Sequence, residues 1–127
     1  MPDEDVIANA IRDGQQGLTD VQAVIDLIGR EQLLLPSGTS TTDGSAAVTP
    51  VYFERQGITY VAVFTSGEKA KSVMPPANYV ISMPGDKLFA GVAAGAGVVI
   101  NPGFMEGMEF APDAVRRIAA LFASRDA

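Results

Sequence analysis

Ser66 and Lys69 are the residues whose types and spacing come nearest to a nucleophile with its base. The order S-x-x-K recurs in penicillin-recognising acyl enzymes, where the motifs S-D-N and K-T-G complete the site. Neither of those partner motifs occurs in this chain. We favour a plainer interpretation, in which Thr65 and Ser66 begin a helix. The free N–H groups of such a helix start could still hold an anion or the carboxylate of a partner.

Glu106 and Glu109 form a second candidate pair. They flank a predicted turn, and carboxylates so placed could act as general acid and base or contribute to a Ca²⁺ site. The D-x-D-x-D pattern that would supply a third ligand is missing. A solvated loop is therefore the favoured interpretation.

Three glycines, Gly91, Gly95 and Gly97, lie in the segment GVAAGAG. The dinucleotide-binding fingerprint places its glycines between a strand and the start of a helix. Here they lie in and after a predicted helix. This position favours small-residue packing and a helix end over a nucleotide site.

Cysteine and histidine are both absent from the chain. Disulfides and thiol nucleophiles are thereby excluded, and the commonest general base and the commonest transition-metal ligand are missing. We therefore expect no cofactor, no metal site and no enzymatic activity.

The charge of the chain is acidic, with fifteen Asp and Glu against nine Lys and Arg and a net charge of −6. Nucleic acids are bound by basic clusters, so no nucleic-acid partner is expected. No apolar run reaches the roughly 18–20 residues that span a membrane, and the opening MPDED is unlike a signal peptide. These features predict a cytoplasmic protein with no membrane partner.

The length predicts a single domain over residues 1–127, with a core from about residue 19 to about residue 124. Apolar periodicity predicts two opening helices, the second capped by Thr19 with Leu18 as a hydrophobic staple. The buried stripe of that second helix is predicted to consist of Val21, Val24, Ile25 and Ile28. Residues 37–47 are predicted to form a polar loop.

Strands and helices then alternate. Predicted strands are Gln32–Pro36, the hairpin Val51–Phe64 with Gly57 in its turn, Tyr79–Met83, Val98–Ile100 and Met108–Phe110. Three further helices are predicted. The first is a short helix that begins at Thr65 and is stopped by Pro75-Pro76, the second runs from Lys87 to Ala94, and the third begins at Pro112. The fold class is therefore α+β, or mixed α/β, with a sheet of about five strands and helices packed on it.

A binding site is predicted where two buried strands end, at Thr65 with Ser66 and at Asn101 with Gly103. If the strands are adjacent, Thr65 and Asn101 lie near each other and border one shallow polar notch. Asn101 is expected to be an exposed turn residue whose replacement by alanine changes stability by no more than about 0.5 kcal/mol.

The order of these elements resembles the N-terminal domain of the SseB (enhanced serine sensitivity) family. The resemblance is carried by Val63-Phe64-Thr65-Ser66 with Glu68 and Ala70, by Val98-Val99-Ile100-Asn101-Pro102-Gly103, and by the closing helix that begins with proline. It covers about residues 33–124, and the helix Thr19–Ile28 also fits. Longer members carry a C-terminal SseB domain after this one, whereas these 127 residues correspond to the first alone.

The resemblance implies a bacterial protein without an established catalytic activity, and related single-domain proteins in some high-GC bacteria are accessories of secretion systems. The first hypothesis is a non-catalytic interaction or regulatory module that binds another protein. The second is a sensor of a small molecule such as an amino acid, bound at Thr65, Ser66, Asn101 and Gly103. The third is an enzyme that uses carboxylates or Ser66 with Lys69. Formation of a homo-oligomer is compatible with the sequence.

Overall fold

The computed structural model describes residues 5–37, 51–71, 79–92 and 95–126. The predicted loop from residue 38 onward, the helix end at Pro75-Pro76 and the last residues of the helix predicted to reach Ala94 lie outside these ranges. The described elements follow one another in the order α1 Val6–Gln15, α2 Val21–Arg30, β1 Gln32–Ser37, β2 Tyr52–Arg55, β3 Ile58–Val63, α3 Gly67–Ala70, β4 Tyr79–Pro84, α4 Gly85–Gly91, β5 Gly97–Ile100, β6 Met108–Phe110 and α5 Pro112–Asp126. The predicted mixed α+β class is confirmed.

The strands form two sheets rather than the single sheet of about five strands that the sequence predicts. A four-stranded sheet has the order β2-β3-β5-β6, and β1 pairs with β4 in a separate two-stranded ladder. Within the described residues, one isolated antiparallel bridge, between Leu34 and Phe64, joins the two. Phe64 follows the last residue of β3, so this bridge lies where that strand ends.

The hairpin of β2 and β3 confirms the strongest local prediction. Its two turn residues, Gln56 and Gly57, have φ values of 55° and 79°. Positive φ at both positions matches the twist of the flanking strands, and this is the reason that glycine is favoured in such turns. The four residues of β3 from Tyr60 to Val63 are all buried, and β3 lies between β2 and β5 in the sheet.

The main core lies between one face of the larger sheet and the helices. Phe89 in α4 packs edge-on against Phe110 in β6 and against Phe122 in α5, with ring centroids 5.6 and 5.8 Å apart. Such edge-to-face pairs add roughly 0.5–1.5 kcal/mol each beyond the area that they bury. The cluster also contains the buried residues Ile7, Ile11, Val24, Ile28, Leu33, Val63, Val98, Ile100, Val115 and Ile118.

The start of α2 differs from the prediction. Asp20, not Thr19, caps the helix, and its Oδ1 accepts a hydrogen bond from the backbone N–H of Ala23 at 2.8 Å. Because the cap lies one residue later, Leu18 is not at the position from which a staple reaches the helix. Leu18 is 72% exposed and Val21 is 58% exposed, whereas Val24 and Ile28 are buried as predicted.

The start of α4 also lies earlier than predicted, at Gly85. A Cβ atom at this position would lie 1.8 Å from the carbonyl oxygen of Ile28 in α2. Glycine at residue 85 therefore lets the beginning of α4 approach the backbone of α2. Among the described residues, no helix is both long and apolar enough to cross a membrane.

Candidate functional site

The candidate site lies where β3 and β5 end. These strands are parallel, and the pairs from Tyr60 with Gly97 to Val63 with Ile100 are in register. The carboxyl ends of parallel neighbours meet at the same edge of a sheet. The pairing continues one residue further, because the N–H of Asn101 donates to the carbonyl of Val63 at 2.8 Å. The predicted proximity of Thr65 and Asn101 is confirmed.

Asn101 is fully buried, and the expectation of an exposed turn residue is wrong. Its backbone has a φ of 54°, a left-handed conformation that asparagine tolerates better than most residues. Its Oδ1 accepts from the N–H of Thr65 at 3.0 Å, and its Nδ2 donates to Thr65 Oγ1 at 2.9 Å and to the carbonyl of Glu106 at 3.0 Å. The predicted notch is thus filled by the Asn101 side chain.

Thr65 connects Asn101 to the first helix. Its hydroxyl accepts from Asn101 and donates to Oδ2 of Asp5 at 2.7 Å. The same Oδ2 atom lies 2.9 Å from the ammonium Nζ of Lys69. The other oxygen of Asp5 caps α1 by accepting from the N–H of Ala8 at 3.1 Å.

The carboxyl group of Asp5 is held in its charged form. Burial raises its pKa, but hydrogen bonds from Lys69, Thr65 and the backbone of Ala8, together with the charge of Lys69, outweigh that effect. The net result is a pKa below the ordinary value of 3.8. Charge-assisted hydrogen bonds of this kind favour the carboxylate over the acid.

The loop from 101 to 107 is braced from two sides. The carbonyl of Asn101 accepts from the N–H of Phe104 at 3.1 Å, and its side chain holds the carbonyl of Glu106. From α1, the Gln15 amide donates to the carbonyl of Met105 at 2.9 Å and to that of Gly107 at 3.4 Å. The loop is therefore fixed by hydrogen bonds on both sides of its tip.

That tip presents apolar side chains to solvent. Met105 is 87% exposed and Phe104 is 38% exposed, with the Lys69 ammonium 5.8 Å from the centre of the Phe104 ring. Among the large apolar residues that the structure describes, Leu18 and Val21 are the most exposed after Met105. We call these four residues, Leu18, Val21, Phe104 and Met105, the apolar end.

The two halves of the apolar end are connected through Gln15. Its hydrogen bond to Met105 places the loop tip beside the end of α1. Leu18 follows three residues later in the chain, and three residues span at most about 11 Å. Both halves therefore fall within the footprint of one ordinary interface, which buries about 800 Å² on each partner.

The comparisons with known proteins concern the chain as a whole. The family model of the SseB protein N-terminal domain matches residues 7–117. The chain belongs to this family. The match includes α1 and α2, so it begins earlier than the resemblance that the sequence motifs carry. Comparison with curated proteins and with solved structures yields no match.

In this SseB domain, the S-x-x-K order serves a helix start. The Oγ of Ser66, not that of Thr65, accepts from the backbone N–H of Lys69 at 3.2 Å and caps α3. The ammonium of Lys69 donates a hydrogen bond to the carboxylate of Asp5 rather than to a nucleophile. Both side chains of the pair thus have structural partners.

The two candidate carboxylates of the SseB domain, Glu106 and Glu109, have different structural roles. Glu109 forms an ion pair with Arg55 and accepts from the Tyr60 hydroxyl at 3.0 Å. Desolvation and this bond raise the pKa of Tyr60 above its ordinary value of 10.0. Glu106 contributes its backbone carbonyl to Asn101. Within the described ranges, no group of three or more Asp and Glu residues could hold a metal ion.

A shallow groove of about 210 Å³ lies beside the loop. Asn101 and Gly103 line it together with Arg55 and Glu109, whereas Thr65 and Ser66 are not among its lining residues. The four predicted binding residues therefore do not form one surface. Their role in binding stays a prediction.

The glycine segment is confirmed as a packing feature at Gly97. A Cβ atom there would lie 2.5 Å from the carbonyl oxygen of Phe110 and 2.6 Å from the ring of Tyr60. At Gly91 the corresponding space is open, and Gly95 has a φ of 87°. The close approach of β5 to β6 and to Tyr60 therefore depends on one glycine of the three.

Sequence reasoning missed three contributors to this site: Asp5, Gln15 and Met105. Asp5 carried a local signal, because an acid directly before the first apolar residues of a helix is a typical N-cap. Its bond to Thr65 spans 60 residues of chain. No local pattern marks Gln15 or Met105, whose contact joins residues 90 positions apart.

Proposed function

We propose that this SseB domain is a non-catalytic protein-interaction module and that the apolar end is its docking surface. The observation that carries the proposal is the 87% exposure of Met105 on a loop held by hydrogen bonds from Asn101 and Gln15. Because the loop is fixed, its backbone loses little conformational freedom when a partner covers the exposed side chain. Methionine is also adaptable in shape, which suits contacts with a partner's apolar groups.

The polar side chains that could do chemistry support a non-catalytic role. Ser66 caps a helix, Lys69 pairs with Asp5, and the amide of Asn101 is bonded at both of its polar atoms. A nucleophile or base would have to leave such a partner before it could act. The proposed setting is the cytoplasm of a bacterium, where the bacterial source is what the family resemblance implies. An accessory role to a secretion system, which the resemblance also implies, is one use of such a module.

Site-specific cross-linking tests the proposal. Because the chain has no cysteine, Met105→Cys creates one attachment site for a photoreactive maleimide. Tyr52→Cys is the matched control, since Tyr52 is a 47% exposed apolar residue in β2. In extract of the source cell, position 105 should give a discrete adduct with another protein, and position 52 should not. Equal adducts at both positions, or none at 105, would contradict the docking surface.

Sensing of a small molecule is the second candidate, and the groove beside Asn101 and Gly103 is the observation that favours it. Its volume of about 210 Å³ lies below the roughly 300–1,000 Å³ of typical ligand pockets. The Asn101 amide, which was predicted to border the site, already has hydrogen-bond partners at both of its polar atoms. A thermal-shift screen decides, because a ligand at 100 times its Kd stabilises by about 2.7 kcal/mol. The absence of any shift with amino acids would end this candidate.

A further inference from the structure

Acidic side chains surround the apolar end. Asp13 and Asp20 lie on either side of Leu18 in the chain, and Glu106 directly follows Met105. The backbone carbonyl of Asp13 accepts from the N–H of Leu18 at 2.8 Å, so this acid lies beside that apolar residue. Asp20 is exposed, and Asp13 and Glu106 are partly exposed. Because Asp20 directly precedes Val21, Glu106 directly follows Met105 and Asp13 is hydrogen-bonded to Leu18, a partner that covers the apolar end comes close to all three residues.

Basic residues do not balance these acids. Next to the apolar end in the chain, Asp13, Asp20 and Glu106 face one basic neighbour, Arg12. Lys69, the cation next to Phe104, is held by the carboxylate of Asp5 at 2.9 Å. The field around the apolar end is therefore negative.

We propose that the partner of the apolar end is a basic amphipathic helix. This inference rests on the proposed function and adds the chemistry of the occupant. Apolar side chains of the helix would cover Leu18, Phe104 and Met105, while its Lys and Arg residues lie opposite Asp13, Asp20 and Glu106. Opposite potentials across an interface speed association and exclude wrong partners.

The elements of the apolar end favour a helix as the partner. Leu18 and Val21 lie at the turn into α2, and Phe104 and Met105 lie in a loop. None of the four belongs to a strand, and the edge strand that follows the loop, β6, has only three residues. It therefore offers little backbone on which a peptide could extend the sheet. Side chains of an amphipathic helix bind to such a surface through rows spaced by one or two turns.

The same carboxylates disfavour other occupants. Nucleic acids and anionic lipid surfaces carry the same sign of charge as the apolar end. A second copy of this chain would place like charges against each other in a two-fold interface. A basic segment alone gains from both the apolar and the charged groups.

The test uses helical peptides of about 18 residues, which make about five turns. One contains leucine and lysine in an amphipathic pattern, and a second replaces every lysine by glutamate. Binding is measured by fluorescence anisotropy at low salt, because exposed charges are screened beyond about 10 Å at 0.1 M salt. Backbone amide shifts in NMR spectra locate the bound peptide. We expect the lysine peptide to bind and to shift the amide signals of Leu18, Val21, Phe104 and Met105. The glutamate peptide should not bind.

The decisive variant neutralises the three acids as Asp13→Asn, Asp20→Asn and Glu106→Gln. Asparagine still caps α2, and the carbonyl of Glu106 that Asn101 holds is unchanged. We expect the Kd for the lysine peptide to rise by about tenfold, as for the loss of favourable charge pairs across an interface.

A matched variant, Glu31→Gln with Glu54→Gln and Asp86→Asn, removes the same net charge elsewhere and should change the Kd by less than about twofold.

Equal loss of affinity in both variants would overturn the proposal, as would unchanged affinity in the first. If the glutamate peptide binds equally well at the apolar end, the basic partner is refuted while the docking surface stands. If no peptide shifts the amide signals of the apolar end, the basic partner is refuted. Cross-linking at Met105 then decides alone whether the apolar end is a docking surface. A dimer formed through Met105 would also refute it.

Discussion

Asn101 and Thr65 lie 36 residues apart in the chain, and two hydrogen bonds join them. The amide oxygen of Asn101 accepts from the Thr65 N–H, and the amide nitrogen donates to the Thr65 hydroxyl. The second N–H of that amide holds the carbonyl of Glu106. One buried side chain thereby ties the ends of two parallel strands to the loop that carries Met105.

Replacement of this side chain should cost much more than replacement of an exposed turn residue. Asn101→Ala leaves the N–H of Thr65 and the carbonyl of Glu106 without their partner, and each unsatisfied buried group costs about 1–3 kcal/mol. We expect the free energy of unfolding to fall by about 3 kcal/mol in urea titrations. Asn101→Gly is the control for the positive φ and should lose slightly less, because glycine accepts that conformation. A loss below about 0.5 kcal/mol would show that the network is not structural.

The Asp5 ion pair should make stability depend on pH in the acid range. The pKa of Asp5 in the folded protein lies below 3.8. The contribution of the charged Asp5 to the free energy of unfolding is therefore fully present above pH 3.8 and is lost as the pH falls through the pKa of the folded state. Asp5→Asn keeps a helix cap but loses the pairing with Lys69, and should cost about 1 kcal/mol at neutral pH. The difference from the parent should shrink at pH values below 3.8.

A double-mutant cycle isolates this pair. Lys69→Met removes the cation, and the cycle of Asp5→Asn, Lys69→Met and the double variant gives their coupling energy from urea unfolding. The coupling should be favourable at neutral pH and fall in acid. A coupling energy that is the same at both pH values would contradict the assignment of the pair.

Two glycines of the GVAAGAG segment should respond in opposite ways. Gly97→Ala places a methyl group 2.5 Å from the carbonyl oxygen of Phe110 and should cost about 1–3 kcal/mol through overpacking. Gly91→Ala enters open space at the end of α4 and should be neutral or stabilise by up to about 1 kcal/mol. Thermal unfolding of the two variants compares them directly. Equal effects would mean that β5 and β6 can separate to admit the methyl group.

Much of the scaffold follows from sequence because its signals are local. The turn at Gly57, the buried run in β3 and the proline start of α5 each follow from neighbouring residues. The proximity of Thr65 and Asn101 also follows, since parallel buried strands end at one edge. The smaller ladder of β1 and β4 does not, because pairing of distant strands depends on the whole fold.

The interior of the site could not be predicted in the same way. Nothing in Asn-Pro-Gly shows that the asparagine side chain turns inward, since the motif is equally typical of exposed turns. The direction is set by contacts with Thr65 and Glu106. The exposure of Leu18 and Val21 was missed because it depends on a cap at Asp20 rather than Thr19, a shift of one residue. Boundary errors of this size turn a residue toward or away from the core.

The affinity of the partner recovered at position 105 tests the docking surface most directly. Met105→Ser removes the most exposed large apolar side chain among the described residues, and Tyr52→Ser removes the 47% exposed side chain of Tyr52 in β2 as a control. Interface anchors cost more than about 1 kcal/mol when truncated, so Met105→Ser should weaken binding by about fivefold or more. Its free energy of unfolding should stay within about 0.5 kcal/mol of the parent, and Tyr52→Ser should bind as the parent does. Unchanged affinity in Met105→Ser, or an equal loss in Tyr52→Ser, would contradict the apolar end as the docking surface.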